Sequence, residues 1–305
     1  MAQGCRRRAR YGARVVGRAA GVLPQSRQGA GMSRVPFDEY AAIKAVNWSS
    51  LKHMRDSPKA YRWHRDNPDT GDTTGRMKGR ALHTLVFEPH LFDAEYAVFD
   101  GDARRGKAWE EFKAANGDKC ILKAAEVEEA KAQAEAVRSH PAVQPYLDGG
   151  VFESTIQWKD PQTGIPCKAR PDWWHPATRT LIDLKGTSTL HPHYFARIAA
   201  RLGYHCQLGH YQKGLSVVYP GGPISVKLLA AELKQPYDVA LFSLPEDFLY
   251  AGESEVTELL RKLRQCAESK QWPGRFPEAV ELEAPAYIFG DDENPADFNV
   301  SFAGE

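Results

Sequence analysis

The sequence predicts an α/β fold with a central mixed β-sheet flanked by helices. Period-2 stretches of residues lie between stretches of helical pattern, as expected of a layered α/β domain. At 305 residues the chain exceeds one average domain of ~150 but fits a single large domain with appendages. Apolar residues make up 42% and charged residues 26%, enough for a core and a solvated shell. No window approaches the ~18 consecutive apolar residues of a spanning helix, so an integral membrane protein is excluded. Composition likewise excludes a collagen-like fibre and a fully disordered chain.

The first element expected is a helix capped by Asn47-Trp48-Ser49-Ser50, carrying Leu51, Met54 and Tyr61 and ending near Ser57-Pro58. Residues 69–76 are polar and rich in Gly and Thr, hence a loop. Met77 to Phe87 reads as a helix that carries His83, stopped by Glu88-Pro89. Asp100 to Gly106 reads as a loop, and Lys123 to Ser139 as a long charged helix ended by Pro141. After Gly149-Gly150 the period changes to 2, and Val151 to Trp158 forms a strand. Asp160-Pro161-Gln162-Thr163-Gly164 is a hairpin turn and Cys167 to Trp174 the returning strand. A second turn at His175-Pro176-Ala177-Thr178 leads to an apolar strand, Thr180 to Leu184. One helix is expected from Pro192 to Val217, then strands Ser225 to Leu233 and Tyr237 to Leu244, then a helix from Glu253 to Lys270. No internal repeat is visible.

The net charge of +1 conceals an asymmetry. Residues 1–31 hold seven Arg and no acid, leaving 33 basic against 39 acidic residues in the rest. This segment is read as a basic, disordered extension. A transit peptide, a nucleic-acid-binding arm and a start at Met32 are its three readings. Residues 32–278 form the expected domain. Residues 279–305 form an acidic tail, with seven acids and no base from Glu281 onward. Because the body is mildly acidic, binding to nucleic acid requires a local basic groove or metal ions. The five cysteines are far apart with no C-x-x-C pair, which argues against a zinc ribbon and suits a reducing, cytoplasmic setting.

The chemistry is concentrated between Asp172 and Lys185. Asp172 ends one predicted strand, and Asp183-Leu184-Lys185 lies on the next. Period 2 puts Asp183 and Lys185 on one face, and a tight hairpin brings Asp172 beside Asp183. Two carboxylates ~4 Å apart repel by roughly 4 kcal/mol at an effective dielectric near 20. A divalent cation removes that cost, and hard oxygen ligands suit Mg²⁺, with Mn²⁺ able to substitute. A lysine two residues on can then hold an attacking water or the scissile phosphate. An exposed Asp–Lys ion pair on a surface hairpin is the plainer reading of a bare D-x₁₀-D-x-K. The apolar run Thr180-Leu181-Ile182-Asp183-Leu184 is unsuited to an exposed edge. Gln207 and Tyr211 lie one helical turn apart and share a face.

Lys168-Ala169-Arg170-Pro171-Asp172, Leu181-Ile182-Asp183-Leu184-Lys185 and Gln207-x-x-x-Tyr211 resemble the PD-(D/E)XK nuclease superfamily, whose core is restriction-endonuclease-like. Gly79-Arg80-Ala81-Leu82-His83 with Val86-Phe87-Glu88-Pro89 resembles the G-x-x-x-H-x-x-x-x-E-P helix of the phage RecE-type (exodeoxyribonuclease VIII) branch. Ser57-Pro58, Arg138-Ser139-His140-Pro141, Gln235-Pro236-Tyr237 and Trp272-Pro273-Gly274 extend the resemblance over residues 36–275. Gly186 departs from it, because the family often has Thr or Ser after the lysine.

The resemblance implies that Asp172 and Asp183 bind metal, joined by the Leu184 carbonyl, and that Lys185 orients or activates the water. It implies that His83 reaches the metal from the N-terminal helix, that Glu153 is the additional acid, and that Gln207 and Tyr211 face the active site and DNA. His191, His193, His205 and His210 are read as surface or DNA-proximal. The expected function is that of a Mg²⁺-dependent exonuclease, 5′→3′ on double-stranded DNA ends, in phage-type recombination by single-strand annealing. The resemblance further implies a ring-like homo-oligomer, a trimer or tetramer, and an annealing recombinase as partner. The alternatives are a RecB-like nuclease of repair or CRISPR adaptation and a catalytically inactive DNA-end-binding protein.

Overall fold

The computed structural model describes residues 35–68, 71, 73–147, 149–276 and 278–284. The basic extension and most of the acidic tail therefore lie outside the described residues. Four α-helices come first among the described residues: α1 (Phe37–Ala42), α2 (Trp48–Leu51), α3 (Pro58–Asp66) and α4 (Thr74–Phe87). The expected cap at Asn47 is present, its side chain accepting the Ser50 N–H. Ser57-Pro58 does not end that helix but starts the next. The Ser57 hydroxyl accepts the Ala60 N–H and Pro58 takes the first helical position, where its missing N–H costs nothing.

The short helix α5 (Phe92–Glu95) leads into β1 (Tyr96–Phe99). Next come α6 (Lys107–Ala115), β2 (Cys120–Lys123), α7 (Ala124–Ser139) and α8 (Gln144–Leu147). β1 and β2 pair in parallel, an addition that the sequence pattern did not predict.

The predicted strand Val151–Trp158 is two strands, β3 (Val151–Phe152) and β4 (Ile156–Lys159), in different sheets. The break is at Glu153, which has φ 47, a left-handed conformation that ends the pleat. The return splits likewise into β5 (Pro166–Ala169) and β6 (Trp173–His175), with Pro171, which has no N–H for a ladder, between them. β4 and β5 pair as the expected hairpin, whose turn is held by Asp160 Oδ1 accepting the Thr163 N–H at 2.8 Å. Lys213 Nζ lies 2.7 Å from the other Asp160 oxygen, a buried ion pair.

β7 (Thr180–Thr187) runs three residues past the predicted end. The long helix expected after it is two, α9 (Pro192–Leu202) and α10 (Tyr204–Val218). Gly203, at φ 73, makes the left-handed C-cap that breaks them. A side chain there would also meet Arg55 and Trp48. β8 (Ser225–Glu232), β9 (Val239–Ser243) and α11 (Glu246–Ser269) complete the described fold. α11 starts earlier than predicted, after Pro245.

The main sheet has the order β3-β6-β7-β8-β9, with β7 and β8 parallel and the other pairs antiparallel. It is the predicted central mixed sheet flanked by helices. Alternation along β7 sends Leu181 to one core and Ile182 and Leu184 to another. Leu181 packs with Trp174, Leu208, Leu215, Leu228 and Leu260, joining the sheet to α10 and α11. Ile182 and Leu184 pack with Leu82, Val86, Phe87 and Val137, joining it to α4 and α7. α10 and α11 cross closely at Gly209 and Gly252. A Cβ on Gly252 would stand 2.2 Å from the His205 carbonyl oxygen. Among the described residues no helix is long and apolar enough to cross a membrane.

Candidate active site

Strand pairing puts three acids in a row across the sheet. Trp173 pairs with Ile182 in the antiparallel β6–β7 ladder, so one residue further Asp172 stands opposite Asp183. Phe152 pairs with Trp173, and the Glu153 N–H donates to the Asp172 carbonyl at 3.1 Å. Asp183 on β7, Asp172 just before β6 and Glu153 just after β3 thus lie side by side across the sheet, although each comes from a different stretch of sequence.

Each acid has its own partners. Asp183 is fully buried, and Lys185 Nζ lies 2.7 Å from its Oδ2. The lysine is 18% exposed and lies over the Tyr204 ring at 5.1 Å. Gln207 Nε2 donates to Tyr211 Oη at 2.9 Å and sits 3.4 Å from Asp183 Oδ1. Asp172 Oδ2 accepts the Leu184 N–H at 2.8 Å, which ties the two acidic strands together at this point. Glu153 Oε2 accepts from Arg170 Nε at 2.8 Å. His83, on α4, puts Nδ1 3.6 Å from Asp172 Oδ2 and 3.7 Å from Glu153 Oε1.

The electrostatics follow from that crowding. Burial, followed by the charge of Asp183, pushes the Asp172 carboxyl up to about 7. Burial alone would lower His83, but Asp172 and Glu153 outweigh it and raise the imidazole to about 9. Burial would raise Glu153, yet His83 and Arg170 hold it below its ordinary value. Burial would also discharge Lys185, but Asp183 and Asp172 keep it firmly protonated. Burial raises the Tyr211 hydroxyl well above its ordinary value.

The residues fit a divalent cation. Ligand atoms of His83, Glu153 and Asp172 all lie within 4.8 Å of one another, and Asp172 carries a charge penalty that a cation would remove. The raised histidine supplies positive charge among the carboxylates, in the place where a metal would supply it. The converging trio contains Glu153, while Asp183 faces Lys185 and Gln207 on the other side of Asp172. Leu184 meets Asp172 through its amide, and its side chain is buried in the core beside α4.

His210, expected at the surface, is instead fully buried, with Nε2 3.1 Å from the Lys168 carbonyl oxygen. His205 is half-buried beside Cys206 and Glu255. That group also could hold an ion, but Arg55 occupies it. The guanidinium donates twice to Glu255 and lies 3.1 Å from Cys206 Sγ. At Gly186, the Leu233 side chain occupies the space that a larger residue's Cβ would take.

Sequence reasoning missed two supports. Arg170 holds Glu153, and Lys168 donates to the carbonyls of Tyr40, Ala41 and Ile43 at 2.7, 3.2 and 2.9 Å. Two cations flanking one alanine just before the Asp172 strand were the available signal.

A mixed sheet bearing this acidic row, with the lysine two residues beyond Asp183, defines a member of the PD-(D/E)XK nuclease superfamily. The family model described as "PDDEXK-like domain of unknown function (DUF3799)" matches residues 47–283, and the chain belongs to that family. No curated protein matches it. Its structure is similar to the crystal structure of a "putative exonuclease" from Eubacterium rectale, with a TM-score of 0.59 and 15% identity over 85% of this chain and 98% of that one. At that identity the likeness is one of fold.

Proposed function

We propose that the protein is a divalent-metal-dependent exodeoxyribonuclease that hydrolyses phosphodiester bonds from duplex DNA ends. The observation that carries this reading is the row Glu153–Asp172–Asp183 with Lys185 held 2.7 Å from Asp183. His83, Glu153, Asp172 and Asp183 would hold Mg²⁺ or Mn²⁺. When bound, the metal would supply positive charge against the scissile phosphate.

The chain's own residues do the rest. Lys185 is held protonated, so it donates a hydrogen bond to the attacking water or a non-bridging oxygen rather than accepting a proton. Gln207 and Tyr211 form a hydrogen-bonded pair beside Asp183 and restrict how the substrate approaches that side. Arg170 fixes the Glu153 carboxylate. The RecE-type motif helix with His83, set against Glu153 and Asp172, favours the 5′→3′ recombination exonuclease. With that go a trimeric or tetrameric ring and a single-strand annealing partner.

The test is polarity. A linear duplex labelled at either the 5′ or the 3′ ends is digested with Mg²⁺ under single-turnover conditions. Early release of the 5′ label is the expected result. Early release of the 3′ label would contradict the RecE-type assignment.

A further inference from the structure

From Leu184 to Ala231 the chain holds no Asp or Glu, although its acids outnumber its bases beyond residue 31. This acid-free stretch begins beside Asp183 and includes α9, which has one face exposed. Phe195 and Ala199 anchor the helix to the core, while Tyr194, Arg197, Arg201 and Leu202 are exposed. Tyr194 is 58% exposed, with the His191 and His193 rings 5.0 and 5.6 Å away. A shallow hollow of about 430 Å³ is lined by Tyr194, Arg197, Ile198 and Arg201. Among the described residues, no carboxylate lies within ion-pair distance of either arginine.

Both ends of α9 adjoin, along the chain, elements that carry the active site. Its N-terminus follows β7 after a four-residue turn in which Thr187 Oγ1 donates to the Thr189 carbonyl. At its C-terminus Gly203 leads to Tyr204, whose ring lies under Lys185 Nζ. Arg201 is therefore three residues from a group that touches the catalytic lysine. Arg197 and Tyr194 continue outward on the same side of the helix, about 10 Å along its axis from Arg201 to Tyr194.

We propose that the outer face of α9 is a docking track for single-stranded DNA leading to the active site. Arg197 and Arg201 take successive phosphates, and Tyr194 stacks on an unpaired base. An exposed aromatic beside two guanidiniums is the combination that holds a single strand without reading its sequence. The track rests on the nuclease reading and supplies the local basic surface that an acidic body otherwise lacks.

The test uses the full chain in EDTA, with a fluorescent single-stranded oligonucleotide titrated over a range of salt. The variants are Arg197→Ala/Arg201→Ala, Tyr194→Ala and, as a control of equal charge change, Lys107→Ala/Lys131→Ala on α6 and α7. The arginine variant should bind about tenfold more weakly at low salt, and its slope of log K against log salt should flatten by about 1.4 for two lost phosphate contacts. Tyr194→Ala should weaken binding roughly fivefold or more with the slope kept. The lysine control should match the wild type. Unchanged affinity and slope in the arginine variant, or an equal loss in the control, overturns the track. So does a change in oligomeric mass without a change in DNA affinity, which would make this face a subunit interface. Hydrolysis of thymidine 5′-p-nitrophenyl phosphate, a diester too small to reach along α9, should persist in all variants. If the wild type fails to cleave that diester with Mg²⁺, the nuclease reading falls, while the binding measurements still decide the track.

Discussion

Lys185 and His83 bring positive charge to the acidic row in different ways. Lys185 lies on the strand of Asp183, and period 2 alone puts the two on one face, so this pair was legible in the sequence. Removing it should lower turnover about 10²–10³-fold, as expected for loss of one preorganised donor to developing charge. Turnover at the wild-type level in Lys185→Ala would contradict its role. His83 comes from a helix about seventy residues before the other ligands, and only the family pattern pointed to it. His83→Ala should weaken Mn²⁺ binding at least tenfold by calorimetry. Unchanged affinity with only a lower melting temperature would make His83 a packing residue. Glu153 was named as an acid on a continuous strand, but its left-handed backbone was not foreseen. Nothing in a period-2 pattern marks the residue where pairing switches from one sheet to another.

At the scale of elements, the β6–β7 pair and the motif helix were readable, because buried alternation and a proline stop are local signals. β1 and β2 were not. They are four residues each, lack alternation, and pair in parallel across an intervening helix. The division of α9 from α10 rests on one glycine in a run that otherwise reads as helix throughout. The N-terminal segment belongs to the site in a way the sequence did not show. Lys168 binds three carbonyls between Tyr40 and Ile43, and Arg170, which holds Glu153, also donates to the Val35 carbonyl at 3.3 Å. A chain starting at Met32 should therefore retain hydrolysis. One starting at Lys44 would strip Lys168 of its three acceptors and Arg170 of one, loosening the segment that holds Glu153, and should lose activity. Chemical denaturation and hydrolysis assays on both chains check this, and equal activity in the two would contradict it.

Over the whole molecule, acid stability draws on a buried histidine that is not a proposed ligand. Burial holds His210 down at about 4, against 6.5 for the free group. Between those values the unfolded chain takes up a proton that the folded chain does not, so stability falls as pH drops from about 6.5 to about 4. The full contribution is on the order of 3 kcal/mol. The urea midpoint of wild type minus that of His210→Gln should fall across this window and stay flat above it, since the common subtraction removes the other titrating groups. A flat difference throughout would show that His210 is protonated in the fold.

The buried acidic row is proposed to hydrolyse phosphodiesters with a metal. The most direct measurement compares wild type and Asp183→Ala on end-labelled linear duplex DNA, each with Mg²⁺ and with EDTA, after circular dichroism has shown both to be folded. Label release is expected from the wild type with Mg²⁺ alone, and none from the variant in either condition. Digestion by a folded Asp183→Ala protein, or by the wild type in EDTA, would contradict it.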